Sequence, residues 1–256
     1  MQGLKIGLRT GLLSVNLGPG AILSAAMASA AGHKVAVVLS GCGVYDGTEV
    51  HEAAAVLAAL SRHGATPLMF APDKKQAHVI DHTAGSEMDQ ERNVLKESAR
   101  IARGSVSPLS ELKPGDVSAV VFPGGFGAAK NLSDFGFKGA DMDVDPEVRR
   151  IISEFHTAGK PQALCCIAPI LAAKVLGEFG VTLTLGNTGA ESDWPYQGSI
   201  EAAKSFGANM QLKNVDEVVT DEKNKVVSTP AFMFNGQFHQ IQDGVTKMID
   251  SLVKLL

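Results

Sequence analysis

The segment Gly159-Lys160-Pro161-Gln162-Ala163-Leu164-Cys165-Cys166-Ile167-Ala168-Pro169 runs from a turn through a short apolar stretch into two thiols and a helix start, with no spacer. A nucleophile elbow is built this way, with a sharp turn projecting one side chain from the carboxyl end of a strand. The amides that follow sit at a helix N-terminus, where positive dipole density favours a thiolate at neutral pH. Because side chains alternate along a strand, Cys165 and Cys166 should point different ways, and Cys166 at the turn is the candidate nucleophile. A plainer alternative stands beside it: free cysteine is among the most buried residue types, and both thiols could be core filler. A second chemical feature is Pro123-Gly124-Gly125-Phe126-Gly127. Its glycines leave backbone N–H groups exposed and allow a ligand to approach the chain closely.

These features need a sheet to hold them. Residues 35–39 form a continuous apolar run, as in a strand buried on both faces. A helix is predicted over 48–62, with Val50, Ala54, Leu57 and Ala58 on one stripe and Gly64 as its stop signal, followed by a second strand over 67–71. Strand, helix and strand at this spacing make a parallel βαβ unit. Residues 72–90 carry no periodicity and read as a long polar loop; such loops are usually functional or mobile. A helix over 91–103, an irregular connection over 108–116 and a third core strand over 118–122 lead into the glycine turn. Asp145-Pro146-Glu147 supplies an N-cap, a first-turn proline and an acidic first turn for a helix ending near Ala158. The elbow strand covers 161–164 and its helix 168–176. Residues 218–220 and 226–229 flank a turn as an edge hairpin, and 240–255 closes the chain as an amphipathic helix. The pattern is that of an α/β protein with a doubly wound, mainly parallel sheet and helices on both faces.

Composition narrows the partners. The 256 residues carry 23 Lys plus Arg against 27 Asp plus Glu, a net charge of −4, with no long basic run, so a nucleic-acid footprint is not expected. Aromatic residues are 5% of the chain, which argues against stacking platforms and for a small polar substrate. Three cysteines, two of them adjacent, cannot make a disulfide framework, and reduced thiols are expected. No His/Cys/Asp cluster has metal spacing, so neither a metal nor a cofactor is expected. The chain has no acidic residue before Asp46, although Lys5, Arg9 and Lys34 are basic. Residues 1–32 thus resemble a mitochondrial transit peptide, and 33–256 a single domain. A secretory signal ending at Ala28-Ser29-Ala30 is the alternative. Pro19 and the interrupting serines keep this stretch short of a membrane span.

At the elbow a family resemblance becomes specific. Gly-Lys-Pro, an apolar strand, then Cys followed two residues later by a small residue and Pro is similar to the class I glutamine amidotransferase-like superfamily. The similar branch holds the intracellular protease and the parkinsonism-associated deglycase. Ser40-Gly41-Cys42-Gly43-Val44-Tyr45-Asp46-Gly47, Arg92-Asn93-Val94-Leu95, the run from Pro123 through Asn131 to Leu132, and Cys166-Ile167-Ala168-Pro169 resemble its mitochondrial glyoxalase-like subfamily and a bacterial relative, the enhancing-lycopene-biosynthesis protein. The resemblance implies a flavodoxin-like fold with a site at the carboxyl ends of the first, third and elbow strands, where doubly wound sheets favour ligands. It also implies a first-helix Glu bonded to the elbow thiol. Glu52, twelve residues before Gly64, fits that spacing, and Glu49 is its competitor. Gly124, Gly125, Ile167 and Asn131 are implied on the substrate and oxyanion side. Hydrolytic members carry His directly after the elbow Cys, and here that place is Ile167, which weakens Cys-His chemistry. His51 and His82 could approach the pocket, though a solvated surface role suits either.

Three functions follow as expectations. The first is a cofactor-free glyoxalase that converts small 2-oxoaldehydes, methylglyoxal or glyoxal, to 2-hydroxy acids in mitochondria. The second is a non-catalytic or redox-sensing protein of the same fold. A glutaminase-type amidotransferase subunit comes last. A homodimer is the default assembly.

Overall fold

Lys34–Val38 (β1) has Val35, Ala36 and Val37 fully buried, the mark of a strand covered on both faces. In the computed structural model, which describes residues 30–256, β1 lies near the middle of a seven-stranded sheet. Its companions are Thr66–Ala71 (β2), Val106–Pro108 (β3), Ala119–Phe122 (β4), Gln162–Cys165 (β5), Val219–Asp221 (β6) and Val226–Thr229 (β7). They are ordered β6-β7-β5-β4-β1-β2-β3. Every pairing is parallel except β6 with β7, the expected edge hairpin.

The helices are Val50–Arg62 (α1), Val94–Ile101 (α2), Phe126–Lys130 (α3), Pro146–Thr157 (α4), Pro169–Leu176 (α5), Gly198–Ser205 (α6) and Phe238–Val253 (α7). α1 packs on α7, and α4 on α5. The flavodoxin-like, mainly parallel fold is therefore the observed one. None of the helices among the described residues is long and apolar enough to cross a membrane. The segment expected to be a transit peptide lies, apart from its last three residues, outside the described residues.

Several expectations need correction. Of the expected stripe only Leu57 packs partly against the core: Val50, Ala54 and Ala58 are exposed, and α1 buries Glu52, Ala53, Ala55, Val56, Ala59 and Leu60 instead. Alanine-rich helices have no strong apolar period, and here the buried face includes a carboxylic acid. The loop over 72–90 contains a small antiparallel ladder, Ile80–Asp81 with Ser86–Glu87. α6 was not expected; it starts on Gly198 with no side-chain N-cap, so it carries no start signal. β3 is an edge strand of three residues, too short to show a period.

Candidate active site

β5 ends at Cys165 and α5 begins at Pro169, so the chain must turn over within three residues. Cys166 makes the turn with φ of 58°, a left-handed conformation that costs a non-glycine residue on the order of 1–3 kcal/mol. The turn is pinned by Cys166 N–H donating to Thr229 O at 3.1 Å and Ala168 N–H donating to Cys165 O at 3.0 Å. The strained turn brings the Cys166 side chain, 7% exposed, to the wall of a cavity of about 610 Å³. Cys165 is fully buried and does not line the cavity.

Both thiols meet one carboxyl. Glu52, in the first turn of α1, is completely buried. Its Oε2 accepts from Gly124 N–H at 2.9 Å and lies 3.7 Å from Cys165 Sγ, while Oε1 accepts from Phe232 N–H at 3.2 Å. The Cys166 thiol lies close enough to the same carboxyl for each to perturb the ionisation of the other. Burial, and after it the charge of Glu49, push the Glu52 carboxyl up to about 8; Phe232 N–H, Cys166 and Gly124 N–H pull the other way. Glu52 is therefore mainly a neutral acid at pH 7.

The thiol does not behave as the helix-terminus argument predicts. Burial, followed by the charge of Glu52, raises Cys166 well above the ordinary thiol range, against the amides of Gly125 and Ile167 that reach its sulfur. Two amides do not offset desolvation plus a neighbouring acid, so the resting Cys166 is a thiol and not a thiolate. The same two N–H groups have no other acceptor among the described residues and are placed to meet negative charge when it develops.

The other implied residues separate in space. Gly124 was expected to donate to an oxyanion, but its amide is engaged by Glu52. Its contribution is steric: a Cβ there would strike Cys166 Cβ and fall 2.7 Å from Glu52 Oε2. Gly125 has φ of 92° and keeps its amide free. Ile167 lines the cavity beside the sulfur. Asn131, expected on the substrate side, is instead a buried strut. Its Oδ1 accepts from Ala77 N–H at 2.9 Å, and its Nδ2 donates to Ser40 O at 2.8 Å and Asp46 O at 2.9 Å. Those bonds use both amide hydrogens and one lone pair, and the side chain is fully buried and does not line the cavity. Glu49 lines the cavity but serves as the N-cap of α1: Oε2 accepts from Glu52 N–H at 2.6 Å, and Oε1 is 2.8 Å from His51 Nδ1. His51 sits on the cavity rim. His82 lies outside it, with Nε2 accepting from Tyr45 N–H at 3.2 Å. Among the described residues, no group of His, Cys, Asp and Glu is arranged to hold a metal ion.

Sequence reasoning missed the walls. Half of the chain's Phe, Tyr and Trp residues line this one cavity, among them Tyr45, Phe126, Tyr196, Phe232 and Phe238. The low aromatic content concealed their concentration in one place. The loop over 188–197 supplies Pro195 and Tyr196, whereas the loop over 72–90 supplies nothing to the cavity. Burial, followed by the charges of Cys166 and Tyr45, raises the Tyr196 phenol, which keeps it a hydrogen-bond donor near the sulfur.

Comparison with known proteins identifies the family. No family model matches the chain. The ES1 protein homolog, mitochondrial, of Rattus norvegicus is 54% identical over 224 residues, covering 87% of this chain and 84% of that protein. The Homo sapiens glutamine amidotransferase-like class 1 domain-containing protein 3, mitochondrial, is 55% identical over 224 residues, covering 87% and 83%. Among solved structures, an isoprenoid biosynthesis protein with an amidotransferase-like domain from Ehrlichia chaffeensis superposes with a TM-score of 0.79 at 32% identity, covering 88% of this chain and 99% of that one. The Rapid Encystment Protein 24 KDa of Francisella tularensis, at 10% identity, has a TM-score of 0.56 over 86% of this chain and 99% of its own, a likeness of fold alone. Identity above one half across most of both chains, with the elbow and its carboxyl in place, shows that this chain belongs to the glutamine amidotransferase-like ES1 family.

Proposed function

We propose that the chain is a mitochondrial, cofactor-free glyoxalase in which Cys166 and Glu52 convert 2-oxoaldehydes to 2-hydroxy acids. The observation that carries this reading is a cavity-lining thiol close to a fully buried carboxyl pushed up to about 8, with two amides nearby that have no backbone acceptor among the described residues. Mitochondrial placement rests on the names of the relatives.

The chemistry needs Glu52 as carboxylate. Cys166 sulfur attacks the aldehyde carbon, a C–S bond forms as the C=O π bond opens, and the thiol proton passes through Glu52 to the oxygen, giving a hemithioacetal. Glu52 then removes the C1 hydrogen as a proton, giving an enediol, and returns that proton to C2, while the C1 hydroxyl proton passes to the C2 oxygen. The ketone becomes a secondary alcohol and C1 a thioester. Water cleaves the C–S bond, releasing the 2-hydroxy acid and restoring the thiol. The amides of Gly125 and Ile167 stabilise oxygen charge at each stage.

The rival readings have less support. A glutaminase pairs its thiol with imidazole; here Ile167 follows Cys166, and the rim imidazole of His51 is bonded to Glu49. A redox sensor needs an accessible thiolate, and Cys166 is buried and raised. The deciding assay incubates purified protein with methylglyoxal in the absence of glutathione and measures lactate. Activity lost in Cys166→Ser and retained in Cys165→Ser is the expected result. Equal background from all three proteins would refute the proposal.

A further inference from the structure

The cavity beside Cys166 is built for more than a three-carbon substrate. Building on the glyoxalase reading, we infer that its preferred substrates are uncharged 2-oxoaldehydes whose acyl substituent is an aromatic ring or an aliphatic group of similar bulk.

Geometry fixes the direction of the substrate. The aldehyde carbon must reach Cys166 Sγ, which lines the cavity together with Gly125 and Ile167, so the substituent on C2 has to extend along the rest of the cavity. Its volume of about 610 Å³ lies in the range that encloses drug-sized ligands. Methylglyoxal would leave most of that space to water.

The walls are aromatic and set for ring contacts. Phe126 meets Tyr196 edge-on at 5.7 Å and 82°, and Phe232 meets Phe238 at 6.0 Å and 79°. Lys130 Nζ lies over one face of Phe126 and the His51 ring is 4.5 Å from that of Phe238; edge-to-face pairing leaves the remaining ring surface to a further aromatic group. At the mouth, Tyr45, Tyr196 and Phe238 are 41%, 40% and 64% exposed. Large apolar side chains left in water around one opening mark a place where an apolar ligand covers them.

Charge narrows the class further. Among the described residues, Glu49 is the carboxylate on the cavity wall, no Lys or Arg lines it, and the lining His51 is bonded to Glu49 itself. The nearby Lys130 directs Nζ to Tyr45 O at 3.0 Å and lies outside. A phosphate or carboxylate on the substituent would be desolvated against Glu49 without a counter-charge.

The test measures mandelate formed from phenylglyoxal and lactate formed from methylglyoxal by the full-length protein, with Cys166→Ser as background. We expect kcat/KM for phenylglyoxal to exceed that for methylglyoxal at least ~10-fold, the scale set by apolar pocket contacts. It should fall at least ~10-fold when the ring carries a 4-carboxylate. Phe126→Ala should bring the phenyl-to-methyl ratio toward unity, and Phe238→Ala, at an exposed rim position, should lower it without risk to folding. Methylglyoxal turned over as well as phenylglyoxal would overturn the inference and leave the glyoxalase reading standing. If neither aldehyde is turned over, the glyoxalase reading fails, and calorimetry with unreactive acetophenone and acetone decides the ligand class. Binding of acetophenone alone, weakened in Phe126→Ala, supports the class; binding of neither overturns it.

Discussion

The floor and the walls of the cavity are built by different rules. At the floor, Cys166, Glu52 and Gly124 lie where β4, β5 and α1 converge, and each position is over-determined. The elbow turn fixes Cys166, two backbone amides hold Glu52, and the missing Cβ of Gly124 lets the others close. The walls draw single rings from separate places: Tyr45 after β1, Phe126 on α3, Tyr196 before α6, Phe232 after β7 and Phe238 on α7. On the proposed function, reaction chemistry belongs to a buried polar knot and selectivity to a half-exposed apolar surface that can change ring by ring. Substitutions at the floor should abolish the reaction or unsettle the fold, and those on the walls should redirect it.

The largest effect is expected at Glu52. Glu52→Gln keeps the volume and the acceptor for Phe232 N–H but cannot move a proton, so the initial rate should fall ~10²–10⁴-fold. Its effect on stability should depend on pH. A folded-state carboxyl at about 8, against an ordinary 4.5, means the native protein keeps a proton that the unfolded chain gives up between those values. That stabilisation is fully present below about pH 4.5 and is lost as pH rises through about 8, a decline on the order of 5 kcal/mol. The glutamine has no such term but cannot accept from Gly124 N–H, so its urea midpoint should lie below wild type near pH 4.5 and gain on it as pH rises toward 9. Midpoints that track each other across that range would mean that Glu52 ionises like a surface carboxylate. In the wild-type enzyme the same ionisation should make kcat/KM rise with pH and level off above about 8, since the carboxylate is the base.

Next in size is Gly124→Ala. The added methyl meets Cys166 Cβ, Glu52 Oε2 at 2.7 Å and Cys165 O at 3.0 Å, none of them free to withdraw. Overpacking of this kind costs about 1–3 kcal/mol, and activity should fall with it because the displaced atoms are those that react. Asn131→Ala should cost stability by a similar ~1–3 kcal/mol, having removed a buried group with three hydrogen bonds. Its rate per folded molecule should hardly change. A large loss of kcat with intact stability would return Asn131 to the substrate side.

How much of this could be read from the sequence follows the same division. The elbow is local chemistry, a turn, a strand, a thiol and a proline in one short run, and the structure has it there. α4 was legible for the same reason: Asp145 Oδ1 accepts from Glu147 N–H at 3.0 Å, and Pro146 follows. What stayed hidden depends on distant residues. Nothing near Gly124 reveals that Glu52, seventy-two positions earlier, takes its amide. The dipole at the elbow is visible in sequence, but the burial that outweighs it is not, so the protonation of Cys166 was misjudged. Asn131 stood in a recognisable motif, yet its partners Ser40, Asp46 and Ala77 come from other loops. The rings were diluted in the composition because they converge from five segments.

The smallest and most diagnostic change is Tyr196→Phe, because Tyr196 belongs to the wall by its ring and reaches toward the floor by its hydroxyl. Its phenol is raised by burial, then by the charges of Cys166 and Tyr45, so it stays protonated throughout the working range and can donate to a substrate oxygen. Loss of one neutral hydrogen bond is about 0.5–1.5 kcal/mol, a drop in kcat of roughly 2- to 10-fold. KM for an apolar aldehyde should stay level or improve, since the ring remains and a polar group has left. The pH profile should keep its shape, being set by Glu52. If kcat is untouched, Tyr196 is wall alone and the partition between chemistry and selectivity is sharper than drawn here. If the profile itself shifts, the phenol takes part in the proton transfers and the floor extends one residue further up the wall.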